Sequence, residues 1–365
     1  RFQDFIAETE KKLDMEITVE KCPSNADNRQ AKISTILASG DKNIDLISVN
    51  DEMISEFKHK GYLEPLEKNV MTEEVRKGFP QKYLESICEA DGHIYSVPFL
   101  MDVMMFWVNQ ELLKQAGLDE IKNTGDFDIL QKSLKNPDQY AYGDAWENTH
   151  VYNSLSQFVN FWGGDYFDWT DPKTKDAARY MKSMLDEKNT SPAQFVDQYE
   201  QMEEKFIRGK YGCVFMYTSA LGTFLDADVY GKNKIHMAPL PVLHKKKATN
   251  IATWQYVLNN ASENKDAAVR FLQYAAGYEG STEYAKIMKS YPARVDVIEN
   301  EDIDLEGIDM VRKYLREYTL NARPLCENSM GAVSDMGKLF QGYVLGQCEE
   351  DSFFEQAQNC INTYY

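Results

Sequence analysis

Residues 92–118, GHIYSVPFLMDVMMFWVNQELLKQAGL, decide how this chain is organised. An extended apolar run covers residues 99–108, and a single carboxylate, that of Asp102, interrupts it. A charge within an apolar strand is rarely left alone, because burying it without a partner is strongly unfavourable. Asp102 is therefore expected to have a partner, or to face water or a ligand.

The same stretch predicts the elements on both sides of the run. Residues 94–97 have the composition of a short strand, which Pro98 is expected to stop. Asn109 has the side chain of a helix N-cap, and Gly117 is a typical residue for the end of that helix. The stretch thus predicts a strand, a long extended segment and a helix in succession.

Length and charge limit the class of protein. The chain has 365 residues, too many for one ordinary core, so two domains are expected. Its net charge of −18 argues against nucleic-acid binding, which needs clustered Lys and Arg at the phosphates. The basic cluster at residues 244–247 is predicted to be a solvated loop.

Cysteine spacing and hydropathy suggest neither a metal site nor a membrane span. The six cysteines form no CxxC pair, and Cys213 and Cys360 are expected to be buried thiols. The acidic segment 299–306 lacks the pattern of a calcium loop and is predicted to be a solvated connector. No run approaches the ~20 apolar residues of a membrane span. The chain opens inside an amphipathic helix, so we expect that the first residues of the natural protein precede Arg1.

The first sixty residues alternate between helix and strand patterns. Residues 2–13 and 33–40 have helical periodicity, whereas residues 15–19 and 44–49 have the pattern of strands. Residues 22–28 are predicted to be a loop. This spacing is typical of βαβ units on a parallel sheet.

A longer pattern carries a family resemblance. The motif Gly-x-Ile-Tyr-x-Val-Pro-aromatic starts at Gly92, Asn109 follows Pro98 by eleven residues, and Glu-Leu-Leu and Ala-Gly-Leu come next. This order resembles family 1 extracellular solute-binding proteins of bacterial ABC importers, the family of maltose-binding protein. The resemblance covers almost the whole chain and places one further strand upstream of Arg1. Other matching segments are residues 45–51, 61–66, 206–209, 239–241, 252–258, 264–272, 291–294 and 353–364.

The resemblance implies an α/β, two-lobed periplasmic-binding-protein-like fold that binds a ligand between its lobes and closes by hinge motion. The N-terminal lobe is expected to contain residues 1–101 and 250–303, and the C-terminal lobe residues 102–249 and 304–365. Three interlobe crossovers are expected near residues 100–103, 243–250 and 303–310.

The resemblance also implies a place and a set of partners. It predicts a monomeric sugar receptor without catalytic residues, cofactor or metal, which works with the membrane subunits of an ABC importer. The receptor is expected on the extracellular face of the cell membrane, held there by a lipid anchor, or in the periplasm of a Gram-negative cell.

Seven residues are candidates for ligand binding, because sugar sites combine aromatic faces with polar side chains. Asp102 matches a family carboxylate that contacts sugar, and Trp146, in a polar loop, is expected to face the ligand. Asp51 is either a sugar-contacting carboxylate or a helix N-cap. Trp254 and Gln255 either line the cleft or pack in the core.

The remaining two candidates have weaker counterparts. Arg294 resembles a cleft-facing family arginine, with a structural ion pair as the alternative. Tyr217 is near, but not at, the position of the usual family aromatic, which aligns with Ser219. Residues 330–336 replace the Trp-Tyr pair of maltose-binding protein, so malto-oligosaccharide itself is not specifically implied.

Three functions remain open on the sequence. The first is the sugar receptor. The second is a receptor of the same fold for a polyamine, a phosphorylated alcohol or a metal chelate. The third is a glycan-active enzyme with two carboxylates, but the usual hydrolase and nucleotide motifs are absent from the sequence.

Overall fold

The computed structural model of the protein describes residues 1–23 and 26–365. Helices are more frequent than strands in this described part. The helices are α1 (Phe2–Leu13), α2 (Ala26–Ser39), α3 (Asp51–Phe57), α4 (Glu73–Arg76), α5 (Gln81–Tyr83), α6 (Gln110–Gln115), α7 (Thr124–Ser133), α8 (Val151–Trp162), α9 (Pro172–Asp186), α10 (Tyr199–Ile207), α11 (Ala220–Asp226), α12 (Lys265–Ala276), α13 (Tyr278–Met288), α14 (Val295–Ile298), α15 (Ile308–Glu317), α16 (Ser329–Val344) and α17 (Glu350–Tyr364). The strands are β1 (Leu46–Asn50), β2 (Glu89–Ala90), β3 (His93–Ile94), β4 (Val97–Asn109), β5 (Tyr140–Gly143), β6 (Tyr211–Tyr217), β7 (Ile235–Ala238), β8 (Ala248–Leu258) and β9 (Thr319–Ala322).

These elements form two compact α/β units, and the chain crosses between them three times. Unit 1 contains residues 1–101 and 252–308, and unit 2 contains residues 102–251 and 309–365. The two-lobed fold class with three crossovers is thereby confirmed. The lobe limits expected from the sequence place the second and third changes of lobe at residues 250 and 304. These limits stay a prediction.

Unit 1 begins as the sequence predicts, with two exceptions. Helix α1 buries Phe5 and ends at Asp14, whose φ of 48° is left-handed. The strand predicted for residues 15–19 does not form: these residues have no regular secondary structure and pair with no strand of the described chain. Helix α2 already starts at Ala26, so the loop predicted for residues 22–28 is too long; residues 24–25 lie outside the described part.

The deciding stretch folds largely as predicted, but Pro98 does not stop a strand. Strand β4 starts at Val97 and runs through Pro98, because a proline near the start of a strand removes only its own amide donor. Asn109 caps α6, since its side chain accepts a hydrogen bond from the Leu112 amide at 3.2 Å. Gly117 has the positive φ, 72°, that ends this helix.

Strand pairing within the units is mixed, so the parallel sheet of βαβ units that the first sixty residues predict is not observed. In unit 1, β1 pairs antiparallel with β8 from Leu46↔Leu258 to Asn50↔Trp254. In unit 2, β6 pairs parallel with β5 and antiparallel with β4.

The core of unit 2 is rich in aromatic side chains. Phe158 of α8 lies against Tyr142 and Phe215, with ring centroids about 6 Å apart. Cys213 and Cys360 are buried free thiols, as predicted, and residues 244–247 are exposed. Packing in this core positions the C-terminal end of β6. The residues that directly follow this strand belong to the candidate site.

Candidate functional site

Asp102 is the centre of a polar cluster in unit 2. Its Oδ1 accepts a hydrogen bond from the Thr218 hydroxyl at 2.7 Å and from the Ser219 amide at 2.8 Å. Thr218 is tied in turn to β4, since its amide donates to the Val103 carbonyl at 2.9 Å. The carboxylate thus has a fixed orientation, and Asp102 remains only partly buried.

The surroundings of Asp102 raise the pKa of its carboxyl group. Burial raises the pKa of the Asp102 carboxyl, whereas the hydrogen bonds from Thr218 and Ser219 and the charge of Arg323 act in the opposite direction. A partly desolvated carboxylate with one oxygen engaged keeps its other lone pairs for a ligand. Hydroxyl groups of a sugar are suitable donors for such an acceptor.

Three aromatic rings extend from this cluster along unit 2. Tyr217, which precedes Thr218, packs edge-on against Tyr199 at 6.0 Å between ring centroids, and Tyr199 packs against His150 at 5.1 Å. Tyr217 donates its hydroxyl proton to Asn153 Oδ1 at 2.9 Å. Tyr199 and His150 retain accessible surface, so this row presents apolar ring surface beside polar atoms.

An arginine completes the charged groups near Asp102. Arg323, which follows β9, donates from Nη1 to the Tyr152 hydroxyl at 2.6 Å. Its guanidinium carbon lies 5.8 Å from the centroid of the same ring. The planar guanidinium therefore has a defined place in unit 2 and is suited to bidentate hydrogen bonding.

Glu203 of α10 is expected to make the stability of the folded protein depend on pH. Burial raises the pKa of Glu203 from 4.5 to about 7, with further contributions from the Glu200 and Asp102 charges against a hydrogen bond from Thr223. The folded state then binds the proton more tightly than the unfolded state, so the contribution of Glu203 to stability is fully present below about pH 4.5 and is lost as pH rises to about 7. We expect Glu203→Gln to reduce this fall, measured as Tm between pH 4 and pH 8.

Glu204 supplies the matched control for this prediction. It is exposed on the same helix and pairs with Arg208 at the surface. Glu204→Gln is expected to leave the pH profile of Tm nearly unchanged. Equal profiles for Glu203→Gln and the parent protein would contradict the assignment.

In unit 1 the main aromatic candidate is Trp254. Its indole is only half-buried, and the Arg29 guanidinium lies 5.4 Å from the ring centroid. Trp254 stands opposite Asn50 in the β1–β8 ladder, at the carboxyl end of β1. This is the end of a strand at which open α/β sheets bind ligands.

Two further candidates in unit 1, Asp51 at the start of α3 and Gln255 in β8, are buried. Asp51 is fully buried and accepts a hydrogen bond from the Tyr83 hydroxyl at 3.3 Å. The N-cap of α3 is Asn50, so the N-cap role considered for Asp51 is off by one residue. Gln255 is also fully buried and donates to Thr253 Oγ1 at 2.8 Å, as the core alternative predicts.

The contacts of Arg294 agree with the alternative of a structural ion pair. Its Nε and Nη2 donate to the two carboxylate oxygens of Asp296 at 3.0 and 2.6 Å, and its Nη1 donates to the Ala276 carbonyl at 2.9 Å. Only 8% of Arg294 is exposed. The guanidinium also packs so closely on Gly78 that a Cβ there would lie 2.3 Å from Nη2. Through these contacts Arg294 stabilises the packing of unit 1.

Trp146 does not face solvent, so the prediction of a ligand-facing indole is wrong for this structure. The side chain is fully buried, its Nε1 donates to Asp144 Oδ2 at 2.9 Å, and its ring packs edge-on against Phe340 at 5.4 Å. The polar residues around it in the sequence are misleading, because Asp144 is itself buried as the acceptor of several hydrogen bonds. Tyr217 is also buried, with 5% of its surface exposed.

Several residues of these clusters were not predicted. Thr218 and Ser219 directly follow an apolar strand. Polar residues at this position are a sequence signal for a binding site. Arg29, Tyr199, Glu203 and Arg323 carry no comparable sequence signal, because each becomes part of a cluster only through tertiary packing.

The described residues contain no group of His, Cys, Asp and Glu arranged to hold a metal ion. None of their helices has the length and hydropathy needed to cross a membrane.

Comparison with protein families gives one match that covers most of the chain. A model of bacterial extracellular solute-binding proteins matches residues 2–282. A probable amino-acid ABC transporter periplasmic-binding protein, y4oP of Sinorhizobium fredii, is 24% identical over 237 residues, which are 62% of this chain and 53% of that protein. The chain thus spans about half the length of the curated relatives it matches.

Solved structures match over nearly the full length. An ABC transporter solute-binding protein of Thermotoga lettingae bound with α-D-tagatose has a TM-score of 0.83 at 18% identity, covering 99% of this chain and 95% of that one. The GacH receptor of Streptomyces glaucescens, solved unliganded and with acarbose, has a TM-score of 0.81 at 17% identity, with coverages of 100% and 95%. Maltose-bound MalE3 of T. maritima has a TM-score of 0.80 at 16% identity, with coverages of 99% and 95%. At these identities the similarity establishes the fold.

Proposed function

The chain belongs to the bacterial extracellular solute-binding proteins, and we propose that it is a receptor that captures a sugar or short oligosaccharide for an ABC importer. The proposal rests above all on Asp102. Its carboxylate is oriented by Thr218 and Ser219, is only partly buried, and stands next to a row of aromatic rings. An oriented acceptor beside apolar ring surface is the combination that sugar recognition needs.

Trp254 is the proposed contact in unit 1. Its half-exposed indole at the carboxyl end of β1 can stack on the apolar face of a sugar ring. The buried side chains of Asp51, Gln255, Arg294 and Tyr217 are proposed to support the site rather than to touch the ligand, because their polar atoms bond to other protein groups. Closure of the two units on the ligand by hinge motion is part of this proposal.

Proteins of similar fold support a carbohydrate ligand. The matching structures named above hold tagatose, maltose and acarbose, which are all carbohydrates. One observation favours a different solute: y4oP is described as a probable amino-acid transporter component. A non-sugar solute such as an amino acid, a polyamine, a phosphorylated alcohol or a metal chelate is therefore the second candidate. Catalysis on a glycan is not part of the proposal.

The proposed setting follows the family. We place the receptor on the extracellular face of the cell membrane as a lipid-anchored monomer, or in the periplasm, where it delivers its ligand to the membrane subunits of the importer. The strongly acidic surface, with a net charge of −18, disfavours anionic partners such as nucleic acid.

Thermal unfolding against a panel of mono- and oligosaccharides tests the proposal. A sugar present at 100 times its Kd is expected to stabilise the protein by about 2.7 kcal/mol, which is a rise of several degrees in Tm. The same panel includes amino acids, polyamines and sugar phosphates as the comparison set. A Tm rise with these and with no sugar would favour the second candidate, and turnover of a stabilising sugar would reveal an enzyme.

A further inference from the structure

A buried lysine of unit 1, Lys58, takes no part in the proposed site. Only 9% of Lys58 is exposed, and burial lowers the pKa of its ammonium group. Its Nζ donates to the carbonyl oxygens of Ser86 and Ile87, at 3.1 and 3.0 Å. Keeping a charge at a buried position is costly, so the groups that this ammonium contacts indicate what it does there.

The two carbonyl oxygens belong to a rare backbone element. Residues Leu84–Cys88 form a π-helix that follows α5 directly, and we call it the π-turn. Its hydrogen bond runs from the Glu89 amide to the Leu84 carbonyl, five residues apart. The last carbonyls of a helix have no amide partner within it, and Lys58 supplies donors to two of them. The ammonium group thus holds the end of the π-turn, from which the chain enters β2.

The two ends of the π-turn contact strand β8 on either side of Trp254. Tyr83, directly before the π-turn, hydrogen-bonds through its hydroxyl to Thr253 Oγ1 at 3.0 Å. Cys88, the last residue of the π-turn, donates from Sγ to Gln255 Oε1 at 3.3 Å. Gln255 Nε2 donates to Thr253 Oγ1 at 2.8 Å, which links the two contacts. Both ends of one short element are thereby attached to the two strand residues that flank Trp254.

The alternation of side chains along β8 gives these contacts their effect. Thr253 and Gln255 are buried and point to one face of the strand, so the Trp254 side chain points to the other face, where it is half-buried. A strand that is held on one face, directly before and after Trp254, has little freedom to rotate about its own axis. The π-turn therefore limits the directions in which the indole points, and the Arg29 guanidinium lies over the indole ring.

We propose that Lys58 is a positioning residue for Trp254 and acts through the π-turn and β8. Lys58 holds the end of the π-turn, the π-turn holds Thr253 and Gln255, and these two residues set the direction of the indole. The consequence for binding rests on the proposed function, in which the indole stacks on a sugar ring. An indole that already has the right orientation loses little freedom when the sugar binds, and affinity increases accordingly.

Fluorine NMR of the protein labelled with fluorotryptophan tests the position of Trp254 without any ligand. The chain has five tryptophans, and the other four lie in unit 2, so their resonances serve as internal references. Trp254→Phe identifies the Trp254 resonance by its loss. We expect Lys58→Met to shift or broaden this resonance and to leave the other four in place. Lys60→Met is the matched control and is expected to change none, because Lys60 is exposed and pairs with Glu56 at the surface.

Two further variants separate positioning from stability. Cys88→Ala removes one contact between the π-turn and β8, so it is expected to move the same resonance by a smaller amount. Val297→Ala truncates a fully buried side chain of unit 1 and is expected to lower Tm while the Trp254 resonance stays in place. An unchanged Trp254 resonance in Lys58→Met, or in Cys88→Ala where Lys58→Met does not fold, overturns the proposal.

The effect on binding is measured with the sugar that gives the largest rise in Tm. Lys58→Met is expected to raise the Kd of this sugar about three- to tenfold. In the Trp254→Ala background the same change is expected to have no further effect, because the residue that Lys58 positions is then absent. An equal loss of affinity in both backgrounds overturns the proposal. If no sugar binds the parent protein, the proposed function fails, whereas the fluorine spectra recorded without sugar still decide whether Lys58 positions Trp254.

Discussion

Replacing Asp102 with alanine is expected to weaken binding of the stabilising sugar by roughly 30- to 100-fold. Hydrogen bonds to a charged group contribute about 1.5–3 kcal/mol each, and every 1.4 kcal/mol changes Kd tenfold. The carboxylate of Asp102 already has its orientation from Thr218 and Ser219, so little ordering is lost when the ligand binds. Titration calorimetry or the ligand-induced rise in Tm measures the effect.

The design of the variants separates binding from folding. Asp102→Ala also leaves the Ser219 amide without its acceptor, so Tm without sugar is recorded for each variant. Asp102→Asn keeps an acceptor for that amide and is expected to retain the fold while it binds sugar more weakly. Asp351→Ala, an exposed carboxylate of unit 2, is the control and is expected to bind normally. Normal sugar affinity of Asp102→Ala would rule out a ligand contact by this residue.

Replacing Trp146 with alanine is expected to destabilise the protein by about 3–5 kcal/mol, the largest stability effect that we predict. The side chain is fully buried, and its removal leaves a cavity between Phe195 and Phe340. It also deprives Asp144 of one of its donors, the indole N–H. Denaturant unfolding, monitored by circular dichroism, measures the loss.

Trp254 provides the matched comparison, because both residues are tryptophans but only Trp146 is fully buried. Trp254→Ala is expected to cost much less stability and to weaken sugar binding. Trp146→Phe is expected to lose stability mainly because Asp144 Oδ2 loses one of its two donors and keeps only the Tyr142 hydroxyl. If Trp146→Ala unfolded like the parent protein and lost sugar binding, the buried position of Trp146 would be contradicted.

Part of the fold was accessible from the sequence because short local signals specify its elements. The stretch around β4 combines a strand pattern, an N-cap at Asn109 and a C-terminal Gly117, and each of these signals depends on a few neighbouring residues. The strand predicted for residues 15–19 shows the limit of such reasoning. The alternation of apolar and polar residues predicts which side chains face inward. A β-strand forms, however, only when the backbone of a second strand pairs with it.

The site was less accessible, because burial depends on residues far away in the sequence. A carboxylate in an apolar strand is unusual, which singles out Asp102, and the structure gives it two donors from the distant end of β6, Thr218 and Ser219. Trp146 was misjudged because its loop is polar, yet Phe340, almost two hundred residues later, covers it. Arg323 and Glu203 could not be placed near Asp102 by any local pattern, since three separate elements bring them together.

The interleaved order of the two units has a consequence for synthesis. Unit 1 needs residues 252–308, which follow all of residues 102–251 on the chain. At about 5–20 residues per second a ribosome takes roughly 8 to 30 s to translate that insertion. During this time the first hundred residues have emerged without β8, the partner of β1. The nascent chain therefore presents an unpaired strand edge and apolar helix faces for seconds, a state that chaperones or a translocation channel can capture before folding is complete.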